Sequence, residues 1–246
     1  MLVAAAVCPC PPLLVPEVAA GAAPELDAAR SACLDALGVL AASRPDLLVV
    51  IGPAGEEGRG RHLEGAVGSF GGFGVDLDVR LGAAPVTGPV GESSPDVASR
   101  PLPFSLAVGA WLLDRARWAG APVEGLGVAE TLSGERCAAA GRELAAAAGR
   151  VALLVMGDGS ACRTLKAPGY LDERAAEFDA RAGAALGAAD LAALRALDEP
   201  LAYELKAAGR APWQVLAGAA EGTGLGGRLL YEDAPYGVGY TVAAWS

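Results

Sequence analysis

Val151-Ala-Leu-Leu-Val-Met156 runs without interruption into Gly157-Asp158-Gly159-Ser160, and the reading of this stretch decides the fold. Six apolar residues in a row leave no polar parity, so the segment is predicted as a strand buried on both faces rather than one with a wet side. The two glycines and the aspartate then break it sharply. Asp46 to Ile51 (DLLVVI) has the same character, and Leu2 to Val7 reads as a first strand.

Amphipathic segments separate these runs. Pro24 to Ala42 is predicted as a helix, with Leu26, Ala29, Cys33, Leu37 and Leu40 on one stripe and a stop at Arg44-Pro45. Further helices are expected over Phe104 to Trp118, over Ser133 to Ala148 with Ser133 as N-cap, over Asp172 to Leu186, over Ala189 to Leu197 and over Trp213 to Ala220. Trp111 and Trp118, seven apart, are read as core. Val75 to Leu81 alternates strictly and predicts a half-buried strand. Val123 to Ala129 and Tyr236 to Trp245 add two more, while Gly52 to Gly74 reads as an irregular loop. Pro85 to Pro103, with five prolines, suits a surface connection.

Buried strands alternating with helices define an α/β protein, a single domain over 1–246 with a central mostly parallel or mixed sheet flanked by helices on both faces. Ligands of such sheets sit beyond the strand carboxyl ends. Three loops therefore become the candidate site: Cys8 to Pro16, Gly52 to Arg61 and Gly157 to Lys166.

Composition narrows the classes. A net charge of −10 argues against nucleic acid as partner, since phosphate tracking needs clustered lysine and arginine. Lysine occurs only at positions 166 and 206. The chain is 53% hydrophobic but 5% aromatic, with no run long enough to span a bilayer, so no membrane partner is expected. Five cysteines, odd in number and scattered, fit a reducing, cytoplasmic setting. Cys8 and Cys10 would share one face of an extended segment, yet buried free thiols are the simpler reading. Gly157 and Gly159 make no dinucleotide fingerprint, and Gly222-Thr-Gly-Leu-Gly226 precedes a strand instead of following one.

Four segments, Cys8-Pro-Cys-Pro-Pro-Leu-Leu-Val-Pro-Glu17, Val50-Ile-Gly-Pro-Ala-Gly55, Gly157-Asp-Gly-Ser-Ala161 and Tyr231-Glu-Asp-Ala-Pro-Tyr-Gly-Val-Gly-Tyr240, together resemble the class III extradiol ring-opening dioxygenase catalytic-subunit family and the related Memo-type proteins. The resemblance implies an Fe(II) site, with PHPP in the first loop, SPH in the second and GDxSH in the third. This chain departs at every histidine. Cys10 and Ala54 stand at two ligand positions, Ala161 at the acid/base position, and Ala207 at the family's glutamate ligand, with Glu204 one turn away.

Oxygen-activating non-haem iron typically needs two histidines and a carboxylate on one face. Alanine supplies no donor. The expectation is thus no cofactor, and a degenerate family member that binds a small molecule or a protein partner through the former pocket. The alternative is an enzyme of altered chemistry using Cys10, Asp158, Ser160 or Glu204, with an atypical metal or none. His62, the only histidine, is weighed as a rescue ligand but read as a solvated loop residue among arginines. Asp158 and Ser160 either face a ligand or cap the turn. Glu17 is read as a capping or scaffold residue, and Tyr236 as a structural residue that could also line the pocket. A role as one subunit of a larger complex has no partner helix or tail to support it, and homodimerisation through an edge strand or helical face is expected.

Overall fold

The computed structural model describes residues 1–83 and 100–246. The proline-rich connection expected over 85–103 therefore lies mostly outside the described residues.

The three apolar runs all become strands: β1 (Leu2–Cys8), β2 (Leu47–Pro53) and β7 (Val151–Met156). With β6 (Val123–Val128) they form a parallel block in the order β6-β2-β7-β1. Antiparallel strands close both sides. β3 (Gly60–His62) borders β6, while β9 (Tyr240–Trp245) and then β8 (Gly227–Asp233) follow β1, giving seven strands in one mixed sheet.

Each face of the sheet is covered, as an apolar strand in a parallel block requires. Ala4, Ala6, Cys8, Leu48, Val50, Leu154 and Met156 pack toward α2 (Asp27–Ala42) and α3 (Phe104–Arg115). The alternate residues, Ala5, Val7, Val49, Ile51, Leu153 and Val155, face α4 (Gly134–Ala145), α5 (Arg174–Ala188) and α8 (Arg210–Ala219). Among the described residues three short helices complete the set: α1 (Pro16–Ala19), α6 (Leu191–Arg195) and α7 (Glu199–Glu204). Helices α4 and α8 nearly touch at the backbone. A Cβ on Gly141 would lie 2.1 Å from the Val215 carbonyl oxygen, and one on Gly218 would lie 2.3 Å from that of Ala138.

Several expectations need correction. Only Asp78–Arg80 of the alternating Val75 to Leu81 segment is a strand (β5), paired with β4 (Val67–Ser69) in a separate two-stranded sheet. The region from Gly52 to Gly74 holds β3 and β4 rather than being wholly irregular. Strand β9 starts at Tyr240, not Tyr236, because Gly237 takes a φ of 76° and the chain turns there. The helix from Phe104 ends at Arg115, so Trp118 lies beyond it and donates its indole N–H to the Ala121 carbonyl (3.0 Å). Residues 20–26 form a 3₁₀ segment, and the α-helix begins only at Asp27. Ser133 occupies the N-cap position of α4 without a side-chain capping bond.

Candidate functional site

Because β6, β2, β7 and β1 are parallel, their carboxyl ends emerge along one edge, and the three loops singled out from sequence meet there. Each loop is tied to its neighbour through the backbone. The Gly157 amide donates to the Cys8 carbonyl (3.0 Å), the Ala54 amide to Val128 (2.8 Å), and the Ala161 amide to Leu205 (2.9 Å).

Asp158 sits at the centre of this edge. The turn reaches it through two glycines. A Cβ on Gly157 would lie 2.5 Å from the Gly209 Cα, and one on Gly209 would lie 2.3 Å from the Trp213 ring. That close approach lets the Gly209 amide bond the Asp158 carbonyl at 2.8 Å. The Asp158 carboxylate turns toward the first loop, where Oδ1 accepts the Cys10 amide at 2.8 Å. Among the described residues its second oxygen accepts nothing.

The side chain is half-buried at the carboxyl ends of the strands. Burial raises its pKa to about 7, and the single amide bond from Cys10 only partly offsets this. Burial also pushes the Cys10 thiol well above its ordinary value, with the nearby Asp158 and Glu130 carboxylates adding to it. Tyr240, buried at the start of β9, is raised by burial and then by Asp158. No cation acts on Cys10 or Asp158. A thiol held this far from ionisation is neither a ready nucleophile nor a ready metal ligand.

The remaining sequence candidates are placed elsewhere. Ser160 is fully buried and turned to α5: its amide donates to Asp179 Oδ1 and its hydroxyl to Asp179 Oδ2, both at 2.7 Å. It neither faces a ligand nor caps its own turn. Glu204 is exposed and ion-paired to Arg174 at 2.9 Å. Tyr236 donates its hydroxyl to Glu25 at 2.8 Å, toward the 3₁₀ segment. Glu17 pairs with Arg115 at 3.2 Å.

The reading of His62 as a solvated loop residue is corrected. It lies on β3 and is 1% exposed, with Nε2 2.9 Å from the Gly58 carbonyl oxygen. Desolvation lowers its pKa, the Gly58 carbonyl opposes this, and Arg100 lowers it further. Cys8 and Cys10 belong to the same core cluster, together with Cys33, and all five cysteines are free and buried.

Sequence reading missed Asp179, Glu130, Tyr240 and Arg210. Arg210 is 2% exposed and holds the loop after β6 by donating to the carbonyls of Leu132 (2.6 Å) and Glu130, and to Gln214 (2.9 Å). Its position beside Gly209 gave no sequence signal, because its partners lie about 80 residues away in the chain.

The iron that the resemblance implies does not fit these residues. Ala54, Ala161 and Ala207 carry no donor, the Cys10 thiol resists ionisation, and Glu204 and His62 are committed to Arg174 and Gly58. Five concavities of about 230 to 780 Å³ are lined by described residues elsewhere on the surface, and none includes Cys10, Ala54 or Asp158. Among the described residues no helix is long and apolar enough to cross a membrane.

No protein-family model and no curated protein matches the chain. Among solved structures, the crystal structure of uncharacterized protein JW3007 from Escherichia coli K12 is similar, with a TM-score of 0.53 over 99% of each chain at 16% identity. The likeness extends over the whole length, so this chain shares an overall α/β architecture with that protein.

Proposed function

We propose that this chain is a non-catalytic binding protein on a class III extradiol dioxygenase-like scaffold, taking a small molecule or the edge of a protein partner over Asp158 at the carboxyl edge of the sheet. The observation that carries the reading is the donor set at the carboxyl edge. Four positions matched to ligand or acid/base roles hold one protonated thiol and three alanines, while the Asp158 carboxylate, bonded to the Cys10 amide, has an oxygen left free among the described residues. Such a group recognises a hydrogen-bond donor or acceptor, depending on its charge, and does not bind dioxygen. The larger concavities lie elsewhere, which favours a small occupant.

The test is metal uptake by untagged protein dialysed in turn against ferrous iron, manganese, zinc and copper, followed by a catechol-cleavage assay. Below about a tenth of an equivalent of each metal, with no ring opening, the reading holds. Near-stoichiometric metal that is lost in Cys10→Ala overturns it.

One observation favours a second reading, an enzyme that needs no metal. A carboxyl with a pKa of about 7 is well matched to proton transfer at neutral pH, so Asp158 would serve as general acid or base. Turnover of a small substrate that vanishes in Asp158→Asn while binding persists would establish it.

A further inference from the structure

Strand β8 ends the sheet. Among the described residues it pairs only with β9, so its outer edge presents backbone amides and carbonyls without a partner strand. Such an edge is a template for another strand, and its side chains decide which strand fits. Between Leu229 and Tyr231 the register with β9 shifts. Leu230 and Tyr231 accordingly both pack on the α2 side of the sheet. Leu229 and Glu232 lie against α5, where a Cβ on Gly187 would stand 3.1 Å from the Leu229 Cβ and one on Gly183 would stand 2.5 Å from Glu232 Oε1. Alternation then puts Arg228 and Asp233 on the α2 side, flanking Leu230 and Tyr231.

Side chains directly opposite each other in an antiparallel pair share a face. A regular strand laid along this edge loses that match at the bulge, which is how bulges guard edges. A second β8, antiparallel and centred between Leu230 and Tyr231, keeps it throughout: Arg228 falls opposite Asp233, Leu229 opposite Glu232, and Leu230 opposite Tyr231, each twice. A slip of one residue either way sets Arg228 against Glu232 or Leu229 against Asp233, on different faces. The end pairs are also opposite in charge. Arg228 and Asp233 are both exposed, and neither is ion-paired among the described residues. Two new ion pairs therefore form in this one register, against the general repulsion between chains of net charge −10.

The helix beside the edge suits the same approach. Ala176, Ala180, Ala184 and Ala188 of α5, spaced four apart, are all exposed. Ala176 and Ala180 line one concavity of about 480 Å³ together with Glu232 and Asp233, which places this stripe next to the strand. A strand added to β8 by a second copy brings a second α5 alongside, and alanines let two helices approach to about 8 Å. We propose that two copies of the chain join β8 to β8 about a two-fold axis between Leu230 and Tyr231, continuing one sheet into the other with the two α5 helices in contact beside it. The association is expected to be reversible, because one strand pair and one helix pair are smaller than a standard interface.

Sedimentation velocity of the intact chain, from low-micromolar to several hundred micromolar protein, tests this directly. The expected result is a concentration-dependent monomer–dimer equilibrium. Arg228→Asp, which sets an aspartate against Asp233 twice, should weaken it roughly tenfold or more, and adding Asp233→Arg to that variant should restore it by swapping the charges. Ala184→Trp should also weaken it, by holding the helices apart. Leu63→Glu, exposed just beyond β3 at the opposite edge of the sheet, should leave it unchanged, and melting curves will verify that every variant folds. A monomer at every concentration overturns the proposal. So does a dimer that ignores Arg228→Asp, one that the charge swap fails to restore, or one lost only in Leu63→Glu.

Discussion

Asp158 and Asp179 serve the same tight turn and have opposite environments. Asp179, 4% exposed on α5, accepts the Ser160 amide, the Ser160 hydroxyl and the Arg163 guanidinium (3.0 Å), so its carboxylate is fully engaged within the protein. Asp158 has one amide bond and, among the described residues, a free oxygen at the carboxyl edge of the sheet. The first carboxylate is a clamp that fixes the turn to α5, and the second is what the clamp presents. A buried acid becomes a site through the partners it lacks, not simply through burial.

The largest expected effect breaks the clamp. Asp179→Ala leaves a buried hydroxyl, an amide and the guanidinium without their acceptor and should cost about 3–5 kcal/mol in chemical denaturation. A loss under about 1 kcal/mol would mean the turn is held mainly by its backbone bonds to Gly237 and Gly239.

Asp158→Asn should act in the opposite direction. Asn keeps an acceptor for the Cys10 amide and removes the charge. The folded pKa of about 7 exceeds the ordinary 3.8, so the folded state holds its proton more tightly than the unfolded one. The stability contributed is fully present below about pH 4 and is lost as pH rises toward 7. Relative to wild type, the variant should gain about 2–4 kcal/mol at about pH 8 and almost nothing near pH 4. A pH-independent difference would show that Asp158 is not perturbed.

Ser160→Ala sharpens the comparison. It removes one bond to a buried carboxylate while leaving the Ser160 amide in place, and should cost about 1.5–3 kcal/mol with no change in any ligand binding at Asp158. Were Ser160 part of that site, binding would fall with little loss of stability.

Much of the fold was legible in the sequence because the apolar runs at Leu2 to Val7, Asp46 to Ile51 and Val151 to Met156 exceed what one-sided burial allows. Strand β8 was legible only as the strand that Gly222 to Gly226 precedes, without its bounds, since its residues are mostly exposed and carry no alternation, and it exists by pairing with β9. Val75 to Leu81 misled in the other sense: its alternation is real, but only three residues find a partner strand. At the site, Asp158 was legible from its place after a buried strand. Ser160 was not, since its fate is set by a helix residue 19 positions later. Nor was the burial of His62, which the neighbouring arginines in sequence disguised.

The most direct test of the account is an NMR titration of the Asp158 carboxyl, assigned by its absence in Asp158→Asn. A midpoint near 7 is predicted, with Cys10 and its amide shifting in step. A midpoint near 4 would mean that Asp158 is an ordinary solvated carboxylate, and the carboxyl edge of the sheet would lose the group that distinguishes it.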